Sequence, residues 1–176
     1  MTDIVKIVVS GPFGAGKTTF VRTACPDALG VERSVSDETS RLKEQTTVAL
    51  DHGTVRVSGR DGDAIVTLFG TPGQERFRFM WPVLARGMAG YVLLVDASRL
   101  QAQAQLKSIV RSFAQFAPGV PFVVAANRWN RDELPAAQLA QFLGVPEATI
   151  ESCDPRERGD VIKVLRRLSG TVEGSE

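Results

Sequence analysis

A stretch near the N-terminus has the residue types and the spacing of a phosphate-binding loop. Residues 11–18 read GPFGAGKT and follow an apolar run, residues 4–10, that is typical of a buried strand. Its glycines let backbone N–H groups converge on phosphate oxygens, Lys17 adds a positive charge, and the Thr18 hydroxyl is a ligand for Mg2+. A helix that opens at Thr19 favours an anion at its N-terminus. The predicted nucleotide contacts in this stretch are Gly11, Phe13, Gly14, Ala15, Gly16, Lys17, Thr18 and Thr19.

Length and composition place the chain among ordinary globular proteins. With 176 residues, 43% of them hydrophobic, one domain over residues 1–170 is expected, followed by a short flexible tail over 171–176. The net charge of +1 comes from scattered basic residues, which argues against a nucleic-acid partner. Two distant cysteines, Cys25 and Cys153, suit a reduced cytoplasmic protein. No apolar run is long enough to span a bilayer and no lipidation signal is visible, so we expect no direct membrane anchor.

The order of hydrophobic patterns predicts an α/β fold. Apolar runs alternate with helical periodicities, which is typical of a mostly parallel sheet covered on both faces. We expect six strands, one of them antiparallel through a hairpin turn at residues 59–62, and about five helices. A bulge is expected at Gly53, and residues 26–38 read as a polar loop.

The polar residues of greatest interest follow the predicted strands. In such sheets the ligand binds beyond the carboxyl ends of the strands. The phosphate loop, the segment that begins at Gly70, Asn127 and Ser152 all occupy such positions. We therefore expect them to converge on one site.

With these motifs in this order, the chain resembles the Ras-like small GTPases over essentially its whole length. The segment Gly73–Phe77 looks Rab-like, whereas residues 46–51 and 68–75 are similar to bacterial members, the gliding-motility polarity GTPases and the conservon-type GTPases of actinobacteria. The resemblance implies a three-layer P-loop domain that switches between GTP and GDP with Mg2+. It also implies a roadblock-type regulatory protein as partner. Nothing in the sequence suggests an obligate oligomer.

The resemblance assigns the catalytic and metal-binding roles. Thr47, or Thr46 if the register is shifted by one, matches the threonine that completes the coordination of Mg2+ together with Thr18. Gly73 matches the glycine that senses the γ-phosphate, and Gln74 matches the residue that orients the attacking water. A glutamine suits that role because its side chain both donates and accepts hydrogen bonds. The implied catalytic residues are Lys17, Gly73 and Gln74.

Two later motifs match the part of the family that binds the base. Asn127, Arg128 and Asn130 stand where the family usually has Asn-Lys-x-Asp. Ser152, Cys153 and Asp154 match the last motif, in which a backbone N–H contacts the base. For Cys153 we favour a buried, inert thiol beside the pocket.

Three departures from the family pattern bear on function. Gly70 replaces the aspartate that holds Mg2+ through water, which predicts a weaker dependence on the metal. Asn130 replaces the aspartate that selects guanine, and its amide N–H group faces a guanine donor, which favours a base such as xanthine unless Asp132 substitutes. Phe13 replaces a glycine, and its ring either crowds the γ-phosphate or turns outwards. Arg41 is the only candidate for an arginine finger within the chain.

An aromatic cluster follows the Gln74 segment. Four large apolar residues lie so close together in sequence that they cannot all face inward, so part of the cluster is expected to be a partner surface. Phe77 and Trp81, at helical spacing, have a core position as the alternative. The cluster consists of Phe77, Phe79, Met80 and Trp81.

These observations favour a cytoplasmic GTPase switch with slow, partner-dependent hydrolysis. The first alternative is a degenerate nucleotide-binding scaffold that does not cycle, which Gly70, Asn130 and Phe13 favour. The second is a small-molecule kinase that uses the same phosphate loop, against which the segment around Thr47 and Gln74 argues.

Overall fold

The computed structural model describes residues 2–26, 30–35, 46–59, 62–72 and 75–169. Seven strands in these ranges form one sheet with the order β2-β3-β4-β1-β5-β6-β7. The strands are β1 (Asp3–Ser10), β2 (Gly30–Val35), β3 (Thr46–Gly59), β4 (Gly62–Gly70), β5 (Gly90–Asp96), β6 (Phe122–Asn127) and β7 (Ile150–Ser152).

One strand of the described sheet runs against the others. β3 pairs antiparallel with both β2 and β4, whereas β1 pairs parallel with β4 and β5, and the pairs β5–β6 and β6–β7 are parallel. The predicted α/β class, with one antiparallel strand, is confirmed. The sheet nevertheless has one strand more than the expected six, because β2 lies within the segment 26–38 that the sequence predicts to be a loop. Its partner β3 provides the backbone hydrogen bonds that make Gly30–Val35 a strand.

Five α-helices lie in the described ranges, in agreement with the prediction. They are α1 (Lys17–Ala24), α2 (Trp81–Leu84), α3 (Leu100–Phe116), α4 (Ala136–Leu143) and α5 (Arg158–Ser169). Two 3-10 helices, Glu75–Met80 and Glu147–Thr149, precede α2 and β7. None of the described helices combines the length and the apolar character that a membrane crossing needs.

The helices cover both faces of the sheet, so the domain has three layers. Ile7 and Val9 of β1 point into a core that includes residues of α1 and α5. Val8, between them, points into a second core built with residues of α3 and α4. This alternation of Cβ directions along one strand is why β1 reads as a continuous apolar run.

The strand β3 is regular where the sequence predicts a bulge. Gly53 pairs with Leu68 in an unbroken antiparallel register that runs from His52 opposite Phe69 to Gly59 opposite Gly62. The His52 ring lies on the Phe69 ring, with the centroids 4.6 Å apart. The bulge prediction is wrong because this long hairpin keeps its register through the glycine.

Candidate functional site

The loop between β1 and α1 has a backbone that only glycine allows at its first position. A Cβ at Gly11 would lie 2.4 Å from the carbonyl oxygen of Leu94 in β5, and its φ of +153° is rarely adopted by other residues. Gly16, with φ +101°, precedes the first residue of α1. The loop closes through a hydrogen bond from the Ala15 N–H to the Pro12 carbonyl, 3.1 Å. The backbone thus curls around the N-terminus of α1, as an anion-binding loop requires.

Lys17 reaches back over this loop. Its Nζ donates to the carbonyl oxygens of Gly11 and Pro12, at 2.7 and 3.1 Å, and the residue is 8% exposed. Burial lowers the pKa of Lys17 to about 8, and the negative charge of Asp51 opposes that shift. The ammonium group is therefore held at the loop in a partly desolvated position, where an anion is the natural counter-charge.

Asp51 ends the segment 46–51 that resembles the bacterial GTPases, but the sequence alone assigns it no role in the site. Its Oδ2 accepts a 2.6 Å hydrogen bond from the Thr18 hydroxyl, across from β3 to α1. A Cβ at Gly70 would lie 3.2 Å from the Asp51 Cβ, so the two residues share one space. The described register of β3 on β4 ends at the pair His52–Phe69, next to these two residues.

The donor set around Thr18 fits Mg2+ bound with a nucleotide. A hydroxyl and a carboxylate are hard oxygen ligands, and Mg2+ in nucleotide sites uses one or two carboxylates together with phosphates and waters. Among the described residues there is no group of three or more histidine, cysteine, aspartate or glutamate side chains that would hold a metal by itself. Phosphate oxygens and water would therefore complete the coordination of a metal at this place.

The first of the two motifs that are predicted to bind the base lies at the end of β6. The Asn127 Oδ1 accepts the backbone N–H of Arg128 at 2.9 Å, and Arg128 has a φ of +51°. A guanidinium nitrogen of Arg128 lies 3.4 Å from Oδ2 of the largely buried Asp96, the residue opposite Asn127 in the sheet. The Asn130 Oδ1 accepts the backbone N–H of Asp132 at 3.0 Å. The amide oxygen of Asn130 is thus engaged within its own turn.

The second motif that is predicted to bind the base follows β7. The Cys153 N–H donates to the Ala126 carbonyl at 3.0 Å. The thiol is 2% exposed, and burial raises its pKa to about 12, with nearby carboxylates adding to the shift. The Asp154 N–H donates to Oδ2 of Asp160 at 3.0 Å, and Arg156 holds the pKa of the Asp154 carboxyl below its usual range. A thiol so rarely ionised fits an inert wall residue.

The sheet register brings these segments to one edge. Val9 lies opposite Gly70, Asp96 opposite Asn127, and Ala126 opposite Ser152. The phosphate loop also touches the last motif, because a Cβ at Gly16 would lie 3.0 Å from the Pro155 side chain. The carboxyl ends of β1, β4, β6 and β7 therefore surround one place, as their positions in the sequence predict.

Phe13 and the aromatic cluster are divided between surface and interior. The Phe13 side chain is 79% exposed, so its ring turns outwards. Phe79 is 69% exposed, whereas Phe77 and Trp81 are 8% and 3% exposed, so these two take the core position that their helical spacing offers as the alternative and are removed from the predicted partner surface. Phe77, in the 3-10 helix Glu75–Met80, packs with Leu50. Trp81, the first residue of α2, packs with residues of α3.

The predicted catalytic residues lie mainly outside the part of the chain that the structure describes. Gly73, Gln74, Arg41 and the tail 171–176 are outside the described residues. Thr47 lies in β3 opposite Ser34, four residues before Asp51, which corresponds to about 13 Å along a strand. Metal binding by Thr47, or by Thr46 in the shifted register, stays a prediction.

A family model matches most of the chain. The model described as conserved hypothetical ATP binding protein covers residues 25–158, about three quarters of the sequence, starting after the phosphate loop. The chain belongs to this family.

Curated relatives connect the chain to small GTPases as well. An uncharacterized protein of Methanocaldococcus jannaschii is 23% identical over 160 residues, which is 89% of this chain and 90% of that protein. The Ypt/Rab-type GTPase YPT7 of Saccharomyces cerevisiae is 28% identical over 156 residues, 81% of this chain and 69% of that protein. Intraflagellar transport protein 22 of Chlamydomonas reinhardtii is 28% identical over 113 residues, 63% of this chain and 54% of that protein. These relationships support nucleotide binding within the Ras-like GTPase superfamily.

Proposed function

We propose that the protein is a cytoplasmic, monomeric GTP-binding switch that hydrolyses GTP with Mg2+, slowly and with the help of a partner. The observation that carries the proposal is the position of Lys17. Its buried ammonium lies over a loop whose backbone requires Gly11, at the edge of the sheet where both base-binding motifs also lie. This combination of a desolvated cation, a glycine-rich loop at the N-terminus of α1 and two adjacent motifs predicted to bind a base supports a nucleoside phosphate as the ligand.

Different residues bind the phosphates and position the attacking water. Lys17 exchanges its bonds to the Gly11 and Pro12 carbonyls for phosphate oxygens, and the N–H groups of the loop hold the remaining oxygens. When bound, Mg2+ supplies a positive charge that neutralises the phosphates, and Thr18 is its ligand from this chain. Gln74 positions the water that attacks the γ-phosphate, as the family resemblance implies. Catalysis in this class comes from positioning and electrostatics, so we expect turnover to be slow until a partner adds to both.

Multiple-turnover release of phosphate from GTP tests the enzymatic part of the proposal. We expect slow release in the wild type and loss of release in Gln74→Ala, with nucleotide affinity retained. Leu100→Ala is a matched control, because it truncates an exposed side chain at the start of α3. A wild type that binds GTP but releases no phosphate, with or without a partner, would contradict hydrolysis.

The expected base preference favours a second candidate function, a degenerate nucleotide-binding scaffold. The amide oxygen of Asn130 accepts the Asp132 N–H, so the amide N–H group is what Asn130 offers to a base. Guanine presents donors there, and two facing donors leave a buried mismatch of about 1–3 kcal/mol. This observation favours a degenerate scaffold with relaxed base preference, as does the ATP-binding description of the family. We rank the switch first because the phosphate loop is intact.

We further propose that the chain belongs to the bacterial branch and is regulated by a roadblock-type protein at the surface around Phe79. Support comes from Phe79 and Phe13, which expose large apolar side chains near the phosphate loop and the segment leading to α2. Co-purification of a purified roadblock protein with the nucleotide-loaded chain tests this. Binding that Phe79→Ser abolishes and Val83→Ser leaves unchanged is the expected result. Equal binding by both variants and the wild type would place the contact elsewhere.

A further inference from the structure

A cavity lies at the edge of the sheet opposite the predicted nucleotide site. It has a volume of about 600 Å³ and is lined by Tyr91 and Phe122, which pair in the sheet where β5 and β6 begin. Residues of the loop between α3 and β6 and of the end of α5 also line it. The same two strands end at the pair Asp96–Asn127, which lies about 17 Å further along the strands. A small ligand in this cavity would therefore lie apart from the predicted nucleotide site.

Most of the residues that line the cavity are apolar. They include Ala117, Val120, Phe122 and Leu168. The Tyr91 ring adds an aromatic wall, because it stacks on the Phe122 ring with the centroids 5.1 Å apart. Small-molecule sites are concave and mostly apolar, with volumes of about 300–1,000 Å³. The cavity agrees with such sites in both respects, and its lining suits an apolar molecule.

The hydroxyl of Tyr91 has no hydrogen-bond partner among the residues that the structure describes, although Tyr91 lines the cavity. The residue is 3% exposed, and burial raises its pKa to about 12, so the hydroxyl keeps its proton at neutral pH. Buried phenol hydroxyls usually have a hydrogen-bond partner. The Tyr91 hydroxyl is therefore a donor that a ligand in the cavity can satisfy.

The charge on the cavity wall is positive. Arg167 lines the cavity, and among the described lining residues there is no aspartate or glutamate. Its guanidinium lies 2.8 Å from Oε2 of Glu151, and Oε1 of the same carboxylate lies 2.7 Å from Nζ of Lys163. Two cations thus share one carboxylate beside the cavity. An anionic group on a ligand is the electrostatic complement of such a wall.

We propose that this cavity is a second ligand site, which binds a small amphiphile: an apolar chain that ends in a carboxylate, such as a medium-chain fatty acid. The chain packs on the apolar lining, and the carboxylate accepts from the donors of the wall, the Tyr91 hydroxyl and the Arg167 guanidinium. A carboxylate suits both donors, because it only accepts hydrogen bonds and carries the charge opposite to that of Arg167. The inference does not depend on the proposed function, since none of the residues assigned to nucleotide binding lines the cavity.

The experiment follows the Tyr91 ring by NMR while decanoate is added to the full chain. Tyr91 is the only tyrosine in the sequence, so a protein made with carbon-13-labelled tyrosine gives signals from this residue alone. We expect the Tyr91 signals to shift and to reach saturation, whether or not GDP is present. Decanol has the same chain length and a neutral end, so we expect it to bind about tenfold more weakly than decanoate. Calorimetric titration gives both dissociation constants.

Two pairs of variants locate the ligand. Ala114 is an exposed residue of α3 that lines the cavity, whereas Ala104 is an exposed residue of the same helix outside the lining. Ala114→Phe places a ring in the cavity and should abolish saturable binding of decanoate, while Ala104→Phe should bind as the wild type. Arg167→Gln should weaken decanoate about tenfold and leave decanol unchanged. Arg166→Gln removes the same charge from an exposed neighbour and should leave both affinities unchanged.

The contrary results are equally specific. Absence of a saturable shift of the Tyr91 signals overturns the inference. Equal affinity of Ala114→Phe and Ala104→Phe for decanoate overturns the cavity as its site. Decanol binding as tight as that of decanoate, or an unchanged affinity in Arg167→Gln, overturns the recognition of a carboxylate. Circular dichroism checks the fold of each variant, and the Arg167 pair still decides the question if Ala114→Phe does not fold.

Discussion

Gly11 lies so close to Leu94 that a Cβ on the glycine would sit 2.4 Å from the Leu94 carbonyl oxygen. The contact joins the first residue of the phosphate loop to β5, the strand beside β1 in the sheet. It fixes where the loop leaves the sheet, and thus where Lys17 and Thr18 begin α1. The chemistry of the site therefore depends on a backbone contact as much as on side chains.

The Gly11–Leu94 contact predicts an unequal response of two loop glycines. Gly11→Ala forces its new methyl group against the β5 backbone and should reduce stability by several kcal/mol and abolish nucleotide binding. Gly14, with φ +77°, has no heavy atom near its Cβ position among the described residues. Gly14→Ala should therefore cost only the left-handed strain, about 1–2 kcal/mol. Urea unfolding of both variants measures the difference, and equal costs would contradict the close approach of Gly11 to β5.

The aromatic cluster predicts a similar contrast between its members. Phe77 is buried against Leu50, so Phe77→Ala should cost about 3 kcal/mol or more in the free energy of unfolding. Phe79 is 69% exposed, so Phe79→Ala should change stability by less than about 0.5 kcal/mol. Denaturant midpoints at unchanged slope report both values. A large loss in Phe79→Ala would show that its ring is packed in solution.

The Cys153 thiol predicts slow alkylation with a defined dependence on pH. Its pKa is raised to about 12, whereas an ordinary thiol, as in the unfolded chain, has a pKa of 9.0. The folded state therefore keeps the proton between these values, so the stabilisation from Cys153 is complete below pH 9 and is lost as the pH rises towards 12. At about pH 8 the thiolate population is about 1000-fold below that of an ordinary thiol, and burial slows the reaction further. Mass spectrometry after iodoacetamide treatment, with Cys25→Ser as background, checks this; rapid native alkylation would contradict it.

The Asn130 amide predicts a change of base preference on substitution. The wild type should bind XDP at least as well as GDP, because the amide N–H group faces an acceptor on xanthine and a donor on guanine. Asn130→Asp should shift the ratio of the two affinities towards GDP by about 1–3 kcal/mol, which is roughly 5- to 150-fold. Asp132→Asn tests the alternative in which Asp132 selects guanine in place of Asn130. Calorimetric titration measures the ratios, and an unchanged ratio would show that Asn130 does not contact the base.

The sequence predicts those structural features that depend on residues close together in the chain. The phosphate loop, the alternation of strands and helices, and the one antiparallel strand follow from residue types and periodicity. β2 is missed because Gly30–Val35 has no alternation of its own and becomes a strand by pairing with β3. The expected bulge at Gly53 fails for the same reason, since the long hairpin decides its register as a whole.

Side-chain positions in the site depend on contacts across the chain. The position of the Asp51 side chain depends on strand pairing and on the space left by the missing side chain at Gly70. A local sequence pattern does not predict that position. The aromatic cluster spans the 3-10 helix Glu75–Met80 and the start of α2, and in it Phe79 is exposed whereas Phe77 and Trp81 are buried. The Phe13 ring likewise turns outwards, one of the two orientations left open by its residue type. Sequence spacing limits where these side chains can lie, and tertiary packing determines which position each one takes.

Calorimetric titration of the nucleotide-free protein in Mg2+ with GDP, GTP, ADP and ATP tests the proposed switch most directly. We predict that the guanine nucleotides bind and that they bind more tightly than the adenine nucleotides, with binding lost in Lys17→Ala. Failure of all four to bind, or tighter binding of ADP and ATP, would contradict a GTP-binding switch.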